Sequence, residues 1–242
     1  MRSPDILASS FSRNERPVSF VPRPVLVVLA LALAAQILMH GSGAPPRAEA
    51  RDLPGPPQLS VLRAFAFGEE AALSGVLMLW LQAFDHQPGI SVPFRELDYE
   101  RVVAWLDRIL ALEPRAQYPL LSAARVYTEV PEDGRRRRMI GFVREKYPED
   151  PARRWPWMAH AVFVANHRIG DPGLALDLAR ELRVHAPEDV VPSWARQMEL
   201  FVLEDLGEEE AAKVLLGGLI ESGAVSDPNE IRFLTERLGG NQ

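Results

Sequence analysis

Cysteine is absent from the 242 residues, which excludes disulfides, thiolate metal ligands, a cysteine nucleophile and lipid attachment at a cysteine. Lysine is nearly absent, with Lys146 and Lys213 the only two, so arginine carries almost all the positive charge. Runs of β-branched residues with alternating polarity are missing, whereas Leu, Ala, Arg and Glu recur, and the fold is read as all-α. A surplus of cations is missing too. Net charge is −6, and residues 51–242 hold 22 basic against 30 acidic side chains. Such a body suits no nucleic acid, because phosphate contacts need clustered cations.

The signatures of common chemistry are also lacking. The chain has no HExxH, no GxGxxG, no P-loop and no G-x-S-x-G elbow. His160 and His167 share a helix face but stand seven residues apart, about 10 Å along the axis, too far to share a metal unaided. No metal or cofactor is expected, and no catalysis.

One long hydrophobic run is present. Val25–Met39 reads VLVVLALALAAQILM, and residues 25–44 approach the ~20 that a membrane-spanning helix needs. Leu73–Phe84 is also apolar but short and followed by Asp85-His86, and is read as a buried core helix. Residues 25–44 are taken as an uncleaved anchor. The alternative is a signal peptide cut after Ala48-Glu49-Ala50, although that small-x-small site lies far beyond the run. Arg2, Arg13, Arg16 and Arg23 precede the segment, so the positive-inside rule keeps tail 1–24 cytoplasmic and sends residues 45–242 outward. In a bacterium that makes a single-pass inner-membrane protein with a periplasmic body.

Residues 45–57, rich in Pro, Gly and Ala, read as a linker. Residues 58–242 then read as helices: Ser60 to Phe84, Tyr99–Leu112, Tyr118–Thr128, 131–147, Arg154–Ile169, Pro172–Ala186, Ser193–Leu206, Glu208–Ser222 and Asn229–Leu238. Residues 86–97 form a loop, and Gly or Pro punctuates the rest.

Within this body a period of about 37 residues recurs. Pro119, Trp157, Gly170, Ala175 and Leu182 return as Pro156, Trp194, Gly207, Ala212 and Leu219. Self-similarity at this length marks stacked helical hairpins. The unit Gly170-Asp171, Ala175, Ala179, Leu182, Pro187 and its successor Gly207-Glu208, Ala212, Leu216, Leu219 resemble the tetratricopeptide (TPR) family over roughly residues 98–223. The resemblance implies an α-solenoid whose first helix in each hairpin lines a concave groove that holds a protein or peptide.

In that register Trp157 and Trp194 open the groove-lining face, with His160, His167 and Gln197 further along it. These five are the candidate partner-binding residues, because tryptophan offers a large rigid apolar face with one donor. The competing role for Trp155, Trp157 and Trp194 is packing between hairpins. Arg135–Arg138 is read as a solvated helix face rather than an acidic-partner or lipid site. The expected function is a membrane-tethered scaffold binding another envelope protein or peptide; the alternative is an accessory subunit of an inner-membrane complex. A remoter reading follows from Glu221-Ser222-Gly223, which is similar to the catalytic Glu-Ser pair of periplasmic lytic transglycosylases, though the segment that follows it there is missing.

Overall fold

A computed structural model describes residues 21–41, 51–87 and 90–239. The chain divides into two compact units, residues 1–47 and 48–242.

In the first unit, helix α1 spans Arg23–Gly41. It is apolar around its whole circumference, and residues 23–39 are all exposed. At 1.5 Å per residue its 19 residues measure about 28 Å. Among the described residues no single helix is long and apolar enough to cross a membrane. Most of the expected tail (1–20), residues 42–44 of the expected anchor and the Ala48-Glu49-Ala50 cleavage site lie outside the described residues.

The second unit is helical apart from one small hairpin. Its helices are α2 (Leu59–Ala66), α3 (Glu70–Gln82), α4 (Tyr99–Leu112), α5 (Tyr118–Leu121), α6 (Asp133–Lys146) and α7 (Pro151–Phe163), then α8 (Pro172–His185), α9 (Ser193–Arg196), α10 (Met198–Asp205), α11 (Glu209–Glu221) and α12 (Pro228–Gly239). Strands β1 (His86–Gln87) and β2 (Ile90–Ser91) pair antiparallel, within a stretch expected to be a plain loop.

Local chemistry sets the helix ends. The Asp98 carboxylate caps α4 by accepting from the backbone N–H groups of Glu100 and Arg101 at 3.0 and 3.3 Å. Asp171 does the same for Leu174 at 2.9 Å, with Pro172 pre-set at the first position of α8. Gly170 and Gly207, equivalent in the 37-residue period, both sit left-handed at φ 71° and 74°. That conformation stops a helix at little cost only for glycine. Two expected helices, Tyr118–Thr128 and Arg154–Ile169, finish instead in π-helical turns over Ser122–Val126 and Val164–Ile169.

Three expectations need correction. The helix from Ser60 to Phe84 is broken: Phe67 and Gly68 both have positive φ, 51° and 88°, and α2 meets the helix that follows at 115°. The segment Leu73–Phe84 is not a buried core helix, because on α3 only Ser74, Met78 and Leu81 are buried. The stretch 45–57 is not a free linker from Arg51 onward. Leu53 is buried, and its carbonyl accepts from Arg101 at 2.6 Å; the Pro54 carbonyl accepts from the Trp105 indole at 2.6 Å. Arg108 also donates to the Pro57 carbonyl. A run of carbonyls that prolines leave unpaired is thus tied down along α4.

Each helix packs mainly on near neighbours in sequence: α3 on α4, α4 on α6, α6 on α7, α7 on α8, α8 on α10, α10 on α11 and α11 on α12. One core runs from Leu53 to Val202, and a second, around Leu200, Leu216, Leu219 and Leu234, closes the C-terminal end. Several side-chain contacts between helices fall at separations of 37 to 40 residues. Arg144–Glu181 are 37 residues apart, Arg138–Glu100 are 38, Asn166–Asp205 and Arg168–Glu129 are 39, and Trp157–Gln117 and Gln82–Ser122 are 40.

Candidate partner-binding surface

The five residues singled out from sequence fall into different environments. Trp157, on α7, is half-buried against the main core, and its indole N–H donates to Gln117 Oε1 at 2.7 Å. Trp194, on α9, is 52% exposed and meets Trp155, not Trp157, edge-on at 5.6 Å. The two tryptophans in register are therefore not equivalent. Trp157 ties α7 to the start of α5, and Trp194 offers a free ring face.

His160 and His167 are brought together by Phe163, which lies between them on the same helix surface. Ring centroids are 5.7 Å from Phe163 to His160 and 4.9 Å to His167, and Phe163 itself is exposed. Burial, and then the nearby Arg125, hold the His160 pKa below the usual histidine value. It therefore presents a neutral ring at pH 7, a face suited to apolar or hydrogen-bonding contact.

Gln197 is one of the residues that line a cleft of about 330 Å³, with Arg183, Ser193, Arg196, Leu219 and Val225. It is 4% exposed, and its amide donates to Glu230 Oε1 at 2.8 Å, tying the end of α9 to α12. That bond occupies the amide nitrogen within the fold. Glu199, next to it, escaped notice in the sequence. Its buried carboxylate accepts from Arg180 at 3.0 Å and Arg183 at 2.7 Å. A carboxylate two residues after an amphipathic turn gives no sequence signal of burial.

The Arg135–Arg138 run is partly solvated, and each member has a partner within the fold. Arg138 clasps both oxygens of Glu100 at 2.7 and 2.8 Å, and Arg137 reaches Asp171 at 2.6 Å. Arg136 donates to Asp133 and to the Arg168 carbonyl, while Arg135 lies over the Tyr99 ring at 5.2 Å. Carboxylates 34 and 38 residues away neutralise Arg137 and Arg138, and Asp133 on the same helix pairs with Arg136.

An open, mainly apolar depression lies elsewhere. A cleft of about 430 Å³ opens between α3 and the start of α5, lined by Ala71, Ser74, Gly75, Met78, Gln117 and Tyr118 among others. Its floor exists because Ala71 and Gly75, one helical turn apart, carry almost no side chain. A Cβ added at Gly75 would meet nothing within 4 Å. Along its rim Tyr118 Oη donates to Gln82 Oε1 at 2.5 Å, and Gln117 receives the Trp157 indole. Small residues at i and i+4 in an apolar helix were the sequence signal for this cleft.

Chemistry is sparse. Among the described residues no group of three His, Asp or Glu side chains could hold a metal ion. The Ser222 hydroxyl is spent on the Leu219 carbonyl at 3.1 Å, and Glu221 is exposed at the end of α11. Comparison with known protein families, curated proteins and solved structures gives no match.

Proposed function

We propose that the chain is a non-catalytic, membrane-tethered scaffold: a TPR-like α-solenoid that holds another envelope protein or peptide on the surface formed by α3, α5 and α7. The observation that carries the solenoid reading is the spacing of its cross-links. Side chains 37 to 40 residues apart bond repeatedly, and the sequence period is also about 37. Stacked units of that length put equivalent residues against one another once per repeat. The open, mainly apolar Ala71–Gly75 depression supports partner binding, because apolar surfaces with a few polar rim groups are where ligands anchor.

The tether reading rests on α1. A helix that is apolar on every side and exposed along its length is out of place in water. The arginines that precede it orient it with residues 45–242 in the periplasm of a bacterium.

Two experiments test this reading. A reporter active only after export, fused behind Gln242, is expected to be active, and the protein is expected to resist alkaline carbonate extraction. Activity of a cytoplasm-only reporter at that position refutes the topology. For the cleft, a photo-crosslinking residue at position 75 should capture a protein partner in membranes that the same residue at Val214, exposed on α11, does not. Equal or absent capture at both positions rejects the cleft as the binding surface.

A further inference from the structure

The first helical pair of the second unit carries an outer face that no described residue covers. Its corner, Phe67-Gly68, is left-handed at both residues, which thrusts Phe67 outward at 89% exposure; Phe65 is 69% exposed. No ionisable side chain interrupts α3 between Glu70 and Asp85. Its buried side holds Ser74, Met78 and Leu81, while Val76 and Leu79 point away from the core and Trp80, partly exposed, packs its ring on Trp105 and Phe84 at 4.7 and 5.5 Å. Together α2 and α3 have the length and composition of a membrane span, although bent by 115°. The other end of the unit is different. Helix α12 exposes Asn229, Arg232, Glu236 and Arg237 beside a single large apolar ring, Phe233, a mainly polar finish that suits the end of a helical stack in water.

We infer that this face rests on a lipid surface, with Phe65, Phe67 and Leu79 seated among headgroups and upper acyl chains. The inference depends on the reading of α1 as the membrane anchor. Two observations favour lipid over a second copy or another protein. First, Arg51 is already pinned to the fold through Gln87, so only residues 42–50 separate α1 from the folded unit. Ten links of extended chain reach about 36 Å at most, which keeps the start of the folded unit within that distance of the end of α1. Second, the face is aromatic at its corner and uncharged along its length, the composition that settles at membrane interfaces. Arg63 is outnumbered by Glu69 and Glu70 at the corner, so adhesion is hydrophobic and needs no anionic lipid.

The absence of cysteine makes the test direct. Three full-length single-cysteine variants are made, Phe67→Cys, Leu79→Cys and, as a control, Val214→Cys. Each is labelled with an environment-sensitive nitrobenzoxadiazole and reconstituted into phosphatidylcholine vesicles. Probes at 67 and 79 should shift to the blue and be quenched by lipid-borne nitroxides several-fold more than the probe at 214, with no change in high salt. Vesicle flotation reads the anchor separately. A chain that floats while its probes at 67 and 79 behave like that at 214 overturns the lipid face and leaves the anchor standing. Disulfide-linked dimers of the unlabelled Phe67→Cys or Leu79→Cys variant, without lipid quenching of the labelled one, assign the face to a second copy and overturn it too. A chain that does not float refutes both readings.

Discussion

Trp157 and Trp194 occupy matching positions in the 37-residue period, yet their surroundings call for different responses to truncation. Trp157→Ala removes a half-buried ring packed on the main core, together with the indole N–H that binds Gln117 at 2.7 Å. Large-to-small changes of a fully buried tryptophan cost about 3–5 kcal/mol. Partial burial places Trp157 at the low end, about 3 kcal/mol. Trp194 is 52% exposed and loses mainly its edge contact with Trp155, worth about 1 kcal/mol. For a unit of this size each kcal/mol moves Tm by about 2–4 °C. Trp157→Ala should therefore lower the melting temperature by about 6–12 °C, and Trp194→Ala by about 2–4 °C. Trp157→Phe separates the components, because it keeps most of the ring and gives up the hydrogen bond, about 1 kcal/mol. Circular-dichroism melts of the chain in detergent, followed by partner crosslinking, provide the readout. Equal losses in the two alanine variants, or a loss at Trp157 below about 1 kcal/mol, would refute the assignment of Trp157 to the fold and Trp194 to the surface.

Further predictions concern single groups. Burial lowers the His160 pKa in the folded chain, so between that value and about 6.5 the unfolded chain binds more protons, and stability falls as pH drops through this window; NMR titration should place His160 below 6.5, and His160→Gln should flatten that part of the pH profile. Gly170→Ala and Gly207→Ala, at φ 71° and 74°, should each cost about 1–2 kcal/mol, whereas Gly217→Ala, inside α11 with open space around its Cβ position, should stabilise by about 0.5–1 kcal/mol; urea midpoints of the three variants decide. Glu199→Gln, which leaves Arg183 and Arg180 without their buried carboxylate, should cost about 2 kcal/mol, the buried-pair penalty reduced for the partial exposure of both guanidiniums, and an unchanged urea midpoint would refute it.

Much of the helical order was legible, for identifiable reasons. Tyr99–Leu112 carries a clean apolar stripe between an Asp98 cap and Pro114, and the helix forms over those residues. Gly170 and Gly207 announce helix ends because the left-handed turn they adopt is costly for any other residue. The break at Phe67-Gly68 was hidden because a phenylalanine with positive φ contradicts its own preference, and tertiary context decides it. The pinning of residues 51–57 was hidden for a related reason. Composition reports the lack of internal structure, but it says nothing of arginine and tryptophan donors about 50 residues away that bind the carbonyls of Leu53, Pro54 and Pro57. In the candidate surface, the period placed Trp157 and Trp194 in matching positions, yet it could not tell which ring neighbouring layers would cover. Gln197 illustrates the limit most sharply, since its hydrogen-bond partner is Glu230 on α12, 33 residues further along the chain.

The scarcity of lysine acquires a physical sense at the contacts between layers. Arg138 grips Glu100 with two nitrogens, Arg144 meets both oxygens of Glu181, and Arg168 meets both of Glu129 at 3.1 and 3.2 Å. A planar guanidinium fixes direction as well as distance, which an ammonium cannot. These pairs are largely solvent-exposed, so each adds at most about 1 kcal/mol to stability. Their value lies in register. A slip of one residue between helices would move the fork out of line with its carboxylate at every layer at once, whereas apolar side chains of similar volume would repack with little loss. Apolar burial therefore drives the stacking, and the arginine forks select which of the nearby stackings is adopted.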